Sequence, residues 1–191
     1  MNLESETPNM NIFYLDESPK ICAQQHVDKH VVKMIIEYAQ LMSTAHRMLD
    51  GDEYIDASSG RRIKRWKHPS DNMEQVLYKA SHINHPSAVW ARETVANYVW
   101  LYDLWLELCA EYTHRYGKVH MTQQKLEDIL SKPPSNIKAG EKTTMPQAMP
   151  DDAKMKNSIE AYRNYYNIYK SYMASWKKRN TPFWYKVTVS S

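Results

Sequence analysis

Apolar residues recur at helical spacing through residues 22 to 48, where Val27, Val31, Met34, Ile35, Tyr38, Leu41, Met42 and Ala45 fill one face. At about 100° per residue, His26, His30, Lys33, Glu37 and Thr44 fall on a narrow stripe beside it. Val32 and Ile36 lie on the far side. The pattern therefore predicts a helix buried on more than one flank, with a line of ionisable groups running along it. Asp50-Gly51-Asp52 is turn chemistry and ends that helix near Leu49.

The same reading extends along the chain. Ile12 to Leu15 is a short apolar run, and Ser18-Pro19 supplies a cap followed by proline at the first helical position. Residues 53 to 67 suit a small hairpin or an ordered loop. Asp71 and Glu74 have capping-box spacing for a helix over about 71 to 81. The strongest helical pattern runs from Ser87 to Tyr116 and stops at Gly117, which predicts a long central core helix. A shorter helix over about 122 to 131 ends before Pro133-Pro134. Residues 132 to 154 form a long Pro-rich connection whose Met-Pro pairs suggest packing onto the body. A last helix is expected over about 153 to 179, with Lys177, Lys178 and Arg179 suiting its negative end. The expected fold is all-α: one compact helical domain over residues 10 to 191, with residues 1 to 9 as a flexible extension.

Composition sharpens this picture in a few places. A chain of 191 residues with 42% hydrophobic content, 14 Tyr and 6 Trp can bury a full core. Net charge is only +3, so the overall balance does not announce nucleic acid, but the charges cluster. Arg61, Arg62, Lys64, Arg65 and Lys67 surround Ile63 and Trp66, and Lys177, Lys178 and Lys186 flank Trp184 and Tyr185. Cations interleaved with rings fit a phosphate-bearing partner, because cations meet the backbone and rings stack on bases. Cys22 and Cys109 are isolated and match no zinc or redox spacing, as in a reduced cytoplasmic chain. No apolar run approaches a membrane span, and the first nine residues lack the parts of a signal peptide.

The chemistry-bearing groups sit on the first helix. His26 and His30 have the one-turn spacing that can grip a metal, yet such pairs more often serve structure or catalysis, and no metal or cofactor is assigned. Four glycines leave no phosphate-binding loop, and no serine or cysteine nucleophile setting is present. Lys33, flanked by His30 and partly desolvated by packing, suits an amine nucleophile, with Glu37 moving protons or stabilising a cationic sugar. The plain alternative is a solvated stripe carrying an ordinary Lys33–Glu37 pair.

Three segments carry a resemblance. Ala23-Gln24-Gln25-His26 is similar to the Ala-Asp-Gln-His at the start of the first long helix in the phage pyrimidine-dimer DNA glycosylases of the endonuclease V type. Glu93 through Gly117 resembles that family's central helix, and Met149-Pro150 to Trp184-Tyr185-Lys186 resembles its closing pattern. The resemblance implies a small helical protein that flips a nucleotide and cleaves its glycosidic bond through an imine. The family's nucleophile is the α-amine of an N-terminal threonine, whereas this chain reads Met1-Asn2 or Met10-Asn11. Its catalytic glutamate lies where this chain has Lys33, with Glu37 one turn later.

The leading expectation is thus a DNA N-glycosylase, with possible imine and lyase chemistry, acting on a modified or damaged base. His26, His30, Lys33 and Glu37 would form the pocket, and Trp66 or Trp184 would fill the gap left by the flipped nucleotide. DNA is the expected partner and no membrane is; a viral origin would place the protein in the host cytoplasm. A non-catalytic module that binds nucleic acid or a host protein, and a metal-dependent nucleotide hydrolase built on His26, His30 and remote ligands such as His46, His82, His85, His114 or His120, are the alternatives.

Overall fold

The computed structural model describes residues 10–186. Among them helices dominate, and the strands form one antiparallel hairpin. The helices are α1 (Pro19–Gln24), α2 (Asp28–Asp50), α3 (Asp71–Val76), α4 (Pro86–Ala91), α5 (Val95–Tyr116), α6 (Met121–Leu130) and α7 (Ser158–Tyr169). The hairpin pairs β1 (Asp52–Asp56) with β2 (Ile63–Lys67), Tyr54 opposite Arg65. The body is therefore mostly helical rather than purely all-α. The expected extension at residues 1 to 9, and the end of the chain beyond Lys186, lie outside the described residues.

The long helices α2 and α5 pack together at the centre, with α1 against α5 and with α4 and α6 against α2. Val31, Met34, Ile35, Tyr38 and Leu41 of α2 meet Leu101, Leu104, Trp105 and Leu108 of α5 with water fully excluded. The Trp105 indole donates across this seam to the Ile35 carbonyl at 2.9 Å. Extended residues Ile12, Phe13 and Leu15 run through the same core. Gly117 ends α5 in the left-handed conformation at φ 73°, its amide bonded to the Thr113 carbonyl at 2.8 Å. Val32 and Ile36 are 39% and 38% exposed, so α2 is buried on one flank and not on both.

Four expected helices break or stop short, the 71–81 helix already at Val76, and at the breaks within 22–48 and 87–116 distant groups take up the freed backbone groups. The 22–48 helix divides at residues 25 to 27. There the carbonyls of Gln24 and His26 accept from the Arg115 guanidinium at 3.0 and 2.9 Å, and that of Gln25 accepts from the Trp176 indole at 2.8 Å. His26 consequently sits in the break and not on the helical stripe. The 87–116 helix divides at residues 92 to 94. Thr94 caps α5, whose free amides at Val95 and Ala96 donate to the carbonyls of Lys138 and Gly140. The Pro-rich connection is thus a strap on the start of α5, held further by Thr143 bonds to the Asn97 side chain. The last helix stops at Tyr169, ten residues short of Arg179. Beyond it the chain turns to bury Trp176, leaving Lys177, Lys178 and Arg179 in a loop rather than at a helix end.

Candidate functional site: the flank of α2 and the C-terminal tail

His26 is enclosed, and both ring nitrogens are occupied. Its Nδ1–H donates to the Cys22 carbonyl at 2.7 Å, because a carbonyl can only accept. That leaves Nε2 to accept from the Tyr38 hydroxyl at 2.8 Å, which in turn accepts from the Phe13 amide at 3.1 Å. Burial pushes the His26 imidazole down to about 3, so it stays neutral and has no face open to a substrate. The expected catalytic His26 is, in this fold, a hydrogen-bonded part of the core. Cys22 beside it is likewise sealed, its thiol pushed up to about 12 by burial.

His30 is also buried. Its Nδ1 meets the Tyr166 hydroxyl of α7 at 2.7 Å and its ring stacks on Phe13 at 4.2 Å between centroids. Burial, with Lys170 and Lys33 adding positive charge nearby, holds its pKa well below the usual imidazole range. One helical turn on, Lys33 reaches the outside, its side chain 53% exposed, so the desolvated setting expected for this amine is absent. Its Nζ lies 3.7 Å from Glu37 Oε1. Glu37 is different: its side chain is only 14% exposed, and Oε2 has no hydrogen-bond partner among the described residues. Desolvation pushes the Glu37 carboxyl up to about 7, against the opposing pull of Lys33. A carboxyl that changes charge near neutrality, beside an accessible amine, is a group equipped for proton transfer.

The basic cluster is divided by the pleat of β2. Arg61 and Arg62 occupy the hairpin turn and are exposed with Lys64 and Lys67. Lys64 pairs loosely with Glu53 at 3.5 Å. Arg65 instead turns toward Asp56 and the Ala80 carbonyl, and Trp66 is buried at 8% exposure. Trp66 therefore packs the hairpin onto the body, where its carbonyl accepts from Arg47, and cannot fill a gap in a duplex. In the tail, Lys177, Lys178 and Lys186 are exposed. Trp184 is half-buried between Tyr166 and the Arg163 guanidinium, and Tyr185 lies edge-on to Trp176 at 4.9 Å. A pocket of about 510 Å³ opens beside them, lined by Tyr172, Ser175, Trp176, Thr181 and Tyr185.

Sequence spacing missed the groups that hold this region in place. Arg115 is fully buried in α5 and bonds Asp28 Oδ1 at 2.9 Å and Glu111 at 3.3 Å as well as the two carbonyls in the α1–α2 break. Asp28 also accepts from the Lys177 amide at 2.8 Å and the Ser175 hydroxyl at 2.7 Å, which pins the tail to the start of α2. The legible signal was an arginine at the inward helical phase set by Leu108 and Tyr112. Phe183, 84% exposed beside Arg163, is the protruding ring of the tail, and no periodicity distinguishes it from Trp184. Among the described residues no helix is long and apolar enough to cross a membrane. No protein-family model, curated protein or solved structure matches this chain.

Proposed function

We propose that this protein is a DNA-processing enzyme of the N-glycosylase class, with Glu37 and Lys33 as its acid–base pair. The reading rests above all on the Glu37 carboxyl, poised at about 7 and 3.7 Å from an accessible amine. As the carboxylate, Glu37 takes a proton from the Lys33 ammonium. The freed amine forms a bond to the sugar C1′ as the glycosidic bond breaks, and the proton returns to the departing base. The C1′–O4′ bond of the sugar ring then opens, O4′ taking a proton from the Lys33 nitrogen, and a protonated imine joins Lys33 to C1′. The exposed cations of the hairpin turn and the tail stand near opposite ends of α2, a helix of 23 residues and so about 34 Å long, close to one turn of duplex DNA. That spacing suits two phosphate contacts, and the Tyr172–Trp176–Tyr185 pocket has the size and ring lining to receive an unstacked base.

Borohydride trapping tests the reading. The full chain is incubated with abasic, ultraviolet-irradiated and hydroxymethylated duplex DNA, reduced, and analysed by gel and peptide mass. A covalent adduct on Lys33 is expected, absent in Lys33→Ala. In Glu37→Gln the rate should fall at least tenfold and lose its pH dependence near 7. No adduct and no base release on any substrate, with salt-sensitive binding intact, would replace this reading by a non-catalytic nucleic-acid-binding module, which the exposed Arg61, Arg62 and Lys67 equally support.

A further inference from the structure

Far from Lys33, three side chains converge where α2, the hairpin and the strap meet. His46 and Asp50 lie one turn apart at the end of α2, and His68 follows β2. One potential ligand atom from each lies within 4.8 Å of the other two. His46 is 2% exposed and His68 6%, yet among the described residues His46 Nδ1 and His68 Nε2 have no hydrogen-bond partner. Two buried imidazole nitrogens left unmatched beside a carboxylate call for a group to complete them. We propose that His46, Asp50 and His68 bind a divalent transition metal ion of the zinc class.

The surroundings prepare His46 and Asp50 for a metal, whereas His68 must exchange a hydrogen bond to take part. The Tyr98 hydroxyl donates to the Leu130 carbonyl at 2.7 Å, so it must accept from His46 Nε2–H at 2.9 Å. That fixes the tautomer which leaves the Nδ1 lone pair free, the usual device for orienting a metal-binding histidine. The Asp50 carboxylate accepts from the amides of Ser135 and Asn136 at 2.7 and 2.9 Å and from the Asn136 side chain, which holds it in place while its charge remains. Two imidazoles and one carboxylate form a donor set suited to zinc, and the partly exposed side of Asp50 leaves room for water as a fourth ligand. His68 Nδ1 accepts from the Ser70 amide at 3.1 Å, so the ring carries its proton on Nε2. Metal binding at Nε2 moves that proton and gives up the Ser70 bond, one neutral hydrogen bond exchanged for a metal–nitrogen bond. Bonds of about 2.0–2.2 Å would also draw the three side chains slightly together. The ion would tie the end of α2 to the base of the hairpin.

The inference does not depend on the enzymatic reading. Metal-stripped full-length protein is titrated with Zn(II) against a chromophoric chelator and, separately, with Co(II), whose visible ligand-field bands report nitrogen coordination. One ion per chain, a four- or five-coordinate cobalt spectrum and a metal-dependent rise in Tm are expected. Asp50→Asn and His68→Gln should each weaken binding at least tenfold and abolish the rise in Tm, whereas His114→Gln, at an exposed histidine, should change neither. No stoichiometric binding by the wild-type chain would overturn the proposal. So would affinity unchanged in both Asp50→Asn and His68→Gln. The cobalt spectrum of the unaltered chain decides the matter even if a variant fails to fold.

Discussion

Glu37 carries a cost that can be read without any substrate. Its folded pKa of about 7 lies above the ordinary carboxylate value, so the folded protein holds the proton more tightly than the unfolded chain does. Below pH 4.5 both states are protonated and nothing is lost. Between there and pH 7 the folded state gives up stability as the pH rises, because the shielded carboxyl must ionise. The loss is on the order of 2 kcal/mol, allowing for partial exposure. Glu37→Gln should therefore be more stable than the parent at pH 8 by ~1–2 kcal/mol and indistinguishable from it at pH 4, measured by urea unfolding at both. Equal stability of the two proteins at pH 8 would mean that Glu37 titrates as an ordinary surface carboxylate. Arg115 makes the converse point at the same scale. Its charge is buried and matched by Asp28 and by Glu111, which Arg179 shares. Arg115→Met should therefore cost roughly 3–5 kcal/mol by leaving Asp28 without its cation and the carbonyls of Gln24 and His26 without their donor.

At the level of elements, the helix breaks are the features that local pattern could not supply. The periodicity of 22 to 48 continues through residues 25 to 27, and nothing nearby in the sequence forbids a continuous helix. What interrupts it are acceptor groups claimed from far away, by Arg115 and by Trp176. Replacing Trp176 with phenylalanine keeps most of the ring but removes its donor. The expected cost is ~1–2 kcal/mol, with faster amide hydrogen exchange over residues 25 to 31, where the first turn of α2 leans on that capping. Unchanged exchange there would show that Arg115 holds the break alone. Features that depend on neighbours in the chain were legible. The Ser18 cap, the Gly117 stop and the limits of α6 to within a residue all appear in the fold, and of the two forms open for residues 53 to 67 the chain takes the hairpin. The candidate site was half legible. Lys33 and Glu37 do share one flank of α2, but the burial of His26 and Trp66 depends on packing partners more than ten residues away, which spacing cannot reveal.

On the scale of the whole molecule, charge and connectivity make separate statements. Arg61 and Arg62 lie in an exposed turn, so reversing both to glutamate should leave Tm nearly unchanged. DNA affinity should nevertheless fall for every sequence alike, and the slope of log K against log salt should flatten by roughly 2, as two phosphate contacts are lost. An unaltered slope would remove the hairpin from the binding surface. Connectivity concerns the first and last parts of the chain. Leu15 accepts from Arg163, His30 meets Tyr166, and Gln25 accepts from Trp176. A ribosome makes the early partners first, and at about 5–20 residues per second the late ones follow roughly ten seconds or more afterwards. During that interval α5 and Arg115 are already made and can cover much of α1 and α2, whereas the carbonyls of Leu15 and Gln25 and the His30 ring still wait for Arg163, Trp176 and Tyr166, so the seam that closes last is the one between the two ends of the described fold.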